Sequence, residues 1–495
     1  MTHTHVGHWI DGKPMSAGRG QIPIYNPATG LEAATVDVAD EAVVNAAVAS
    51  SLKAAGPWGD TPPSRRVQIL YRFRGLLLQN IDRLAAEITE QHGKTLDDAR
   101  GEIMRGLEAV ELACGAPGLL KGEMSEQTGT NIDTYSTLHP LGVGLGISPF
   151  NFPVMIPLMM LSVAIAAGNA FILKPSEQDP GPALILADLA REAGLPDGVL
   201  NVVNGDRETV AALIDHPGVS GVSFVGSTPV AQIVYQRAAA AGKRVQAFGG
   251  AKNHLVVMPD ANLDAVADAL SSAAFGSAGQ RCMAITTAVA VGGVGDALAQ
   301  RMRDRAQAVR MGSGADIESE MGPLINAAAQ TRARKHVGLA LAEGAVAVVD
   351  RSNESVPGYE AGYFVGPTVI DGVTPQMDIY REELFAPVLI ILRVDTLEEA
   401  IELIRVNKYG NGAAIFTRDG NAAHMFQRRA AAGMVGINVP IPVPVAPYAV
   451  AGWKASSFGD TGLNNASWRF WTRTKYITSR WADPVSGVDL GFRPN

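Results

Sequence analysis

Val143-Gly144-Leu145-Gly146-Ile147-Ser148-Pro149-Phe150-Asn151-Phe152-Pro153 lies in a stretch that carries no charged residue from Pro140 to Leu173. A membrane span is excluded, because Gly142, Gly144, Gly146, Pro149, Asn151, Pro153 and Pro157 interrupt it and no run of about 18 unbroken apolar residues survives. The pattern reads instead as a buried strand over 143–147, a loop, a buried helix to about 167, and a buried strand over 170–173 that ends in Lys174-Pro175-Ser176-Glu177. Working outward, a helix over 182–194 leads to a strand over 199–203. A helix from 208 then precedes a strand over 221–225 that stops at Gly226-Ser227-Thr228-Pro229, where a further helix begins. Strands alternating with helices predict a parallel, doubly wound α/β sheet. Ligands of such sheets bind beyond the carboxyl ends of the strands. Three of those ends carry Asn151, Lys174 with Glu177, and Gly226 with Ser227. No Gly-x-Gly-x-x-Gly fingerprint is present, yet Gly226-Ser227 at a helix start offers N–H groups to a pyrophosphate. Either Lys174 or Glu177 could reach ribose hydroxyls, and a carboxylate there favours NAD over NADP.

The bulk composition agrees with a large folded protein. At 495 residues the chain exceeds one ordinary core, so two large domains are expected. Apolar residues at 47% and charged ones at 18% exclude disorder. A net charge of -8 with no basic run excludes nucleic acid as a partner. Two cysteines cannot build a disulfide framework, and with no signal peptide visible in 1–13 a reducing, cytoplasmic location is expected.

One of those cysteines stands in Gly276-Ser277-Ala278-Gly279-Gln280-Arg281-Cys282-Met283. Before it, Leu263, Val266, Leu270 and Ala274 recur at helical steps behind Asp260 and Asn262; after it, 285–291 reads as a buried strand. Cys282 is thus expected on a short connector, where Arg281 and converging N–H groups would favour a nucleophilic thiolate. The plain alternative is a buried structural thiol.

Elsewhere, 8–38 reads as short strands and turns, 40–55 and 64–92 as two helices, and 96–114 as a third. The third carries Glu102, Arg105 and Glu108 at a three-residue step, the pattern of a solvated charged stripe. A polar strand pattern over 128–138 has no obvious core and suggests an edge covered by another subunit, with the aromatic and β-branched tail 468–481 as its partner. Beyond Cys282 the alternation resumes to 438, as a second α/β layer, followed by a proline-locked loop over 440–445.

The chain resembles the aldehyde dehydrogenases over essentially its whole length, and within them the CoA-acylating methylmalonate-semialdehyde dehydrogenases. The matching motifs are Phe150-Asn151-Phe152-Pro153, Lys174-Pro175-Ser176-Glu177, Phe224-Val225-Gly226-Ser227, Ala251-Lys252-Asn253-His254, Gly279-Gln280-Arg281-Cys282-Met283-Ala284-Ile285, Glu382-Glu383-Leu384-Phe385 and Asn438-Val439-Pro440-Ile441-Pro442-Val443-Pro444. The resemblance implies two doubly wound parallel-sheet domains plus a small β oligomerisation element: an NAD-binding domain of 1–121 and 142–247, a catalytic domain of 248–450, and an oligomerisation element of 122–141 and 465–495.

It further implies Cys282 as nucleophile, with its N–H and the Asn151 amide as oxyanion hole. Phe150, Lys174, Glu177, Gly226, Ser227, Glu383 and Phe385 would hold NAD, and Arg105 and Arg281 the substrate carboxylate. No metal is expected, and the implied assembly is a homotetramer, a dimer of dimers. Hydrolytic members carry a glutamate four residues before the lysine; here that position is Phe248, which cannot accept a proton. CoA is therefore the expected acyl acceptor, giving propionyl-CoA or acetyl-CoA from methylmalonate or malonate semialdehyde with loss of CO2. CoA users usually have asparagine there, so Phe248 departs from them too and could reshape the pocket; Ala386, where glycine is usual, is a milder departure. Valine, inositol and β-alanine breakdown are all compatible pathways. The alternatives are a hydrolytic aldehyde dehydrogenase, a cysteine acyltransferase without a redox step, and a non-catalytic nucleotide-binding homologue.

Overall fold

The stretch at 140–174 forms the middle of an eight-stranded sheet. The computed structural model describes residues 5–460 and 462–481. Its first large sheet runs, edge to edge, Ser457–Gly459, Arg244–Phe248, Gly221–Val225, Val143–Ile147, Ala170–Lys174, Leu200–Val202, His8–Ile10 and Lys13–Met15. The inner five strands are parallel and the outer ones antiparallel. Winding proceeds from Val143–Ile147 in one direction to 170 and 200, and in the other to 221 and 244. The order reverses between Val143–Ile147 and Gly221–Val225, so a crevice opens where these two strands end.

Helix Met155–Ala166 owes its lack of charge to complete burial: every residue from Ile156 to Ala166 is buried, against Phe171 and Leu173 on one face of the sheet. The opposite face carries Ala170 and Ile172 beneath helices Glu41–Asp60 and Thr228–Ala240. Alternate residues of each strand thus feed two different cores, as the period of two requires.

The second large sheet has seven strands in the order Val346–Val349, Thr368–Asp371, Val388–Val394, Ile285–Val291, Asn253–Val257, Gly412–Phe416 and Met434–Ile437. All pairs are parallel except the first. Helix Leu263–Phe275 crosses from Asn253–Val257 to its neighbour Ile285–Val291, and Cys282 lies on the connector it leaves. The polar strand pairs with the tail as expected: Ile132–Pro140 lies between Met124–Gly129 and Thr472–Arg480, all antiparallel. The rest of the expected oligomerisation element, 482–495, lies outside the described residues.

Three expectations need correction. The helix expected over 64–92 is two, Pro63–Gln79 and Ile81–His92, because Asn80 leaves helical geometry and its side-chain amide donates to the Leu76 carbonyl at 2.9 Å. The solvated stripe is not one, since Glu102 is buried and paired with Lys94. Nor does a break at 247 match the sheet: Phe248 ends a strand of the first sheet, and Ser457–Gly459, outside the expected blocks, pairs alongside it.

Candidate active site

The connector before Cys282 is held in a conformation the sequence does not advertise. In the short turn Gly276–Gly279, Ser277 and Ala278 take φ of 53° and 52°, which non-glycine residues adopt only under constraint. Asp98, on helix Leu96–Cys114, supplies that constraint by accepting the Ser277 N–H at 3.0 Å. Gly279, at φ 71°, presses on the Ala386 carbonyl; a Cβ there would lie 2.3 Å from that oxygen. The Cys282 carbonyl is fixed by two side-chain amides, Asn253 at 2.9 Å and Asn411 at 3.0 Å.

Cys282 is half-buried. Burial pushes its thiol up to about 11, the Glu383 carboxylate adds to this, and the Cys282 and Met283 N–H groups and Arg281 oppose it. Arg281 favours the thiolate as expected, but its influence is the smallest of these, and its guanidinium is bound to Asp98 at 2.5 Å.

Asn151 follows the strand Val143–Ile147. Its Nδ2 donates one hydrogen to the Gln280 carbonyl at 3.1 Å, and its own carbonyl accepts from Lys94 Nζ at 2.6 Å. An amide nitrogen has two hydrogens, so one remains for a ligand oxygen.

Cys282 and Asn151 line one cavity of about 810 Å³ together with Phe150, Lys174, Glu177, Gly226, Ser227, Glu383 and Phe385. This volume suits a ligand larger than a simple aldehyde. It sits at the reversal point of the first sheet, between the ends of Val143–Ile147 and Gly221–Val225. Lys174 and Glu177 are paired at 2.8 Å. The Gly226 N–H is not free as expected, because it donates to the Phe248 carbonyl at 3.1 Å; the open donors of helix Thr228–Ala240 begin at Ser227.

Glu383 accepts the Ala251 N–H at 2.9 Å, and burial raises its carboxyl to about 7. Phe385, at φ 56°, meets Phe150 edge-on at 5.8 Å, and Phe150 stacks on His92 at 5.9 Å. Beneath them the buried Lys252 donates to the carbonyls of Ile379 at 2.6 Å and Glu382 at 2.9 Å, and burial lowers it to about 7.

Two expected site residues do not line the cavity. Arg105 is paired with Glu108 at 2.6 Å and donates to the Pro444 carbonyl at 3.2 Å, and Arg281 is held by Asp98. Phe248 does not narrow the cavity either; its side chain packs in the core of the first sheet. Sequence reading missed the apolar cleft between helices Arg207–Asp215 and Thr228–Ala240, where Val210, Ile214, Val230 and Ile233 line the outer cavity. Its signal was the exposure of Val230 and Ile233, large apolar residues left uncovered. Among the described residues no three His, Cys, Asp or Glu side chains gather as a metal site, and no helix is long and apolar enough to cross a membrane.

A family model described as "Aldehyde dehydrogenase family" matches residues 14–477. A protein of Pseudomonas aeruginosa named malonate-semialdehyde dehydrogenase is 50% identical over 481 residues, 97% of each chain. The mitochondrial methylmalonate-semialdehyde dehydrogenase [acylating] of Arabidopsis thaliana is 47% identical, over 95% of this chain and 78% of that one. A Sinorhizobium meliloti protein assigned as a methylmalonate-semialdehyde dehydrogenase, solved with NAD, superposes with a TM-score of 0.96 at 49% identity, over 98% of this chain and 99% of that one.

Proposed function

The chain belongs to the aldehyde dehydrogenase family, and from that premise we propose that it oxidises malonate or methylmalonate semialdehyde with NAD and passes the acyl group to CoA, with loss of CO2. The observation that carries this reading is the meeting of Cys282 and Asn151 in one cavity at the reversal point of the first sheet, while Phe248 is turned into the core. The cavity's lining suits a dinucleotide: Lys174 and Glu177 would hold a ribose, the helix start at Ser227 would take a pyrophosphate, and Val210, Ile214, Val230 and Ile233 would offer apolar walls to a flat base. When bound, NAD supplies the hydride acceptor.

The chain's own residues do the rest. The Cys282 thiol gives up its proton to solvent, and the sulfur adds to the aldehyde carbon. The alkoxide so formed is held by the Cys282 N–H and the remaining Asn151 N–H, and removing one such donor costs about 2.7 to 4 kcal/mol of barrier. Collapse of the alkoxide releases hydride and leaves a thioester on Cys282. The glutamate that would activate water in hydrolytic relatives is Phe248 here, so general-base help of about 10² to 10⁴-fold is absent from that position. The CoA thiol then displaces the Cys282 sulfur, which takes the thiol proton, and the β-carboxylate departs as CO2 while the α-carbon it leaves takes up a proton.

Arg105 and Arg281 recognise the carboxylate once they exchange Glu108 and Asp98 for it; a guanidinium fork suits either partner. The same reading makes the protein a cytoplasmic homotetramer, a dimer of dimers, joined through the three-stranded sheet whose Met124 and Tyr476 stand exposed. The test is the mass of the product formed from each semialdehyde with NAD and CoA: acetyl-CoA or propionyl-CoA supports the reading, and a free acid formed equally fast without CoA overturns it.

A further inference from the structure

Lys94 is buried, with a side chain 1% exposed, and no step of the chemistry above uses it. Helix Ile81–His92 ends at Gly93, whose φ of 90° turns the chain sharply; a Cβ there would meet Pro323 at 2.7 Å. The turn sends Lys94 inward, and its N–H is tied to His92 Nδ1 at 3.2 Å. Its ammonium then reaches three groups: Glu102 Oε2 at 2.6 Å, the Asn151 carbonyl at 2.6 Å, and the face of Phe152 at 4.7 Å from the ring centre.

Glu102 completes the arrangement. Its other oxygen accepts the N–H groups of Val154 at 2.9 Å and Met155 at 3.1 Å, at the start of helix Met155–Ala166. One buried ion pair therefore grips the loop at Asn151 and again at 154–155. Asn151 is held at its backbone by Lys94 and at its side chain by Gln280, which leaves its amide little freedom to turn.

Such a pair is a poor choice for stability alone, because replacing a buried ion pair by apolar groups of similar volume is often neutral or stabilising. It is a good choice for fixing a carbonyl in place. A hydrogen-bond donor aimed at a developing alkoxide has to be held within about 0.5 Å, and a misplacement of about 1 Å costs on the order of a hundredfold.

We propose that Lys94 is a positioning residue for the oxidation: clamped by Glu102, its ammonium holds the Asn151 carbonyl and so fixes the oxyanion-donating amide of Asn151 relative to Cys282. The inference rests on the reading of Asn151 given above. Removing either charge alone would leave the other buried and unpaired, so the test removes both together, as Lys94→Met with Glu102→Gln, which keeps an oxygen for Val154 and Met155.

Relative to the natural chain, this double change should slow the first turnover of NADH formation by about tenfold or more, with NAD affinity unchanged by fluorescence titration. Added to Asn151→Ala, the same double change should cost less than about threefold, because the group it positions is gone. Equal losses in the two backgrounds, which a merely structural role produces, or no loss in either, would overturn the inference. Asn151→Ala in the otherwise natural chain separates the two readings. If it costs on the order of 10² to 10³ and the double change still adds its full factor, only the positioning role falls; if it costs less than about threefold, the oxyanion role falls and takes the inference with it.

Discussion

Replacing Glu383 by Gln should make Cys282 more reactive above pH 7 and leave it unchanged near pH 5.5. Burial, then the Glu383 carboxylate, push the Cys282 thiol up to about 11, so about one enzyme in ten thousand carries the thiolate at pH 7. Glu383 itself, raised by burial to about 7, is neutral below that pH and charged above it. Its repulsion of the thiolate is therefore switched on as the pH rises through 7. Glutamine keeps the oxygen that accepts the Ala251 N–H but carries no charge. A relief of half to one pKa unit corresponds to a gain of about three- to tenfold in thiolate. The assay is the rate of alkylation by iodoacetamide, without NAD, from pH 5.5 to 10. The variant should gain about tenfold per pH unit up to the top of the range, and the natural enzyme the same except near pH 7, where ionisation of Glu383 holds its gain back by about three- to tenfold in all. A plateau below pH 8 in the natural enzyme, or an equal gain at pH 5.5 and pH 9, would refute the reasoning.

Arg105→Leu should raise KM for malonate semialdehyde by about tenfold or more, the order of a lost charge-assisted hydrogen bond, and leave propanal unaffected; equal effects on both would remove the carboxylate role. Asp98→Ala releases the Ser277 N–H and Arg281 together, so the first turnover of NADH should slow by about ten- to a hundredfold with either aldehyde, as about 1 to 3 kcal/mol of backbone strain relaxes. An unchanged first turnover with a lower KM for the carboxylated aldehyde alone would show that Asp98 acts only by occupying Arg281. Phe248→Ala should cost about 3 to 5 kcal/mol of stability in thermal melts and leave the partition between CoA and water unchanged, since the side chain packs in the core. A gain in hydrolysis would place residue 248 beside the thioester instead.

The doubly wound sheet is legible in the sequence because its strands are buried on both faces and end in polar or glycine-bearing turns, so Asn151, Lys174, Glu177 and Gly226 can be placed at strand ends and Cys282 on the connector before a strand. They meet in one cavity because the strand order reverses there. The clamps behind them were not legible. Glu102 looked like part of a solvated stripe because Arg105 and Glu108 follow at helical spacing, whereas its partners are Lys94 and the N–H groups of Val154 and Met155, which only the tertiary fold brings near. Asp98 likewise caps no feature of its own helix but holds Ser277, whose positive φ has no glycine to announce it. The proximity of Arg281 to Cys282 in sequence gives the right direction but overstates the effect for the same reason: its side chain is paired with Asp98. Propensity and spacing report what a residue does within its own element, and these residues act between elements.

The account stands most directly on what happens when enzyme, NAD and semialdehyde are mixed in a stopped-flow instrument with no CoA present. It predicts a burst of at most about one NADH per active site, then a slow phase that CoA restores to full speed. Rapid, sustained NADH production without CoA would contradict it, for water would then be clearing the sulfur as fast as the thiol does.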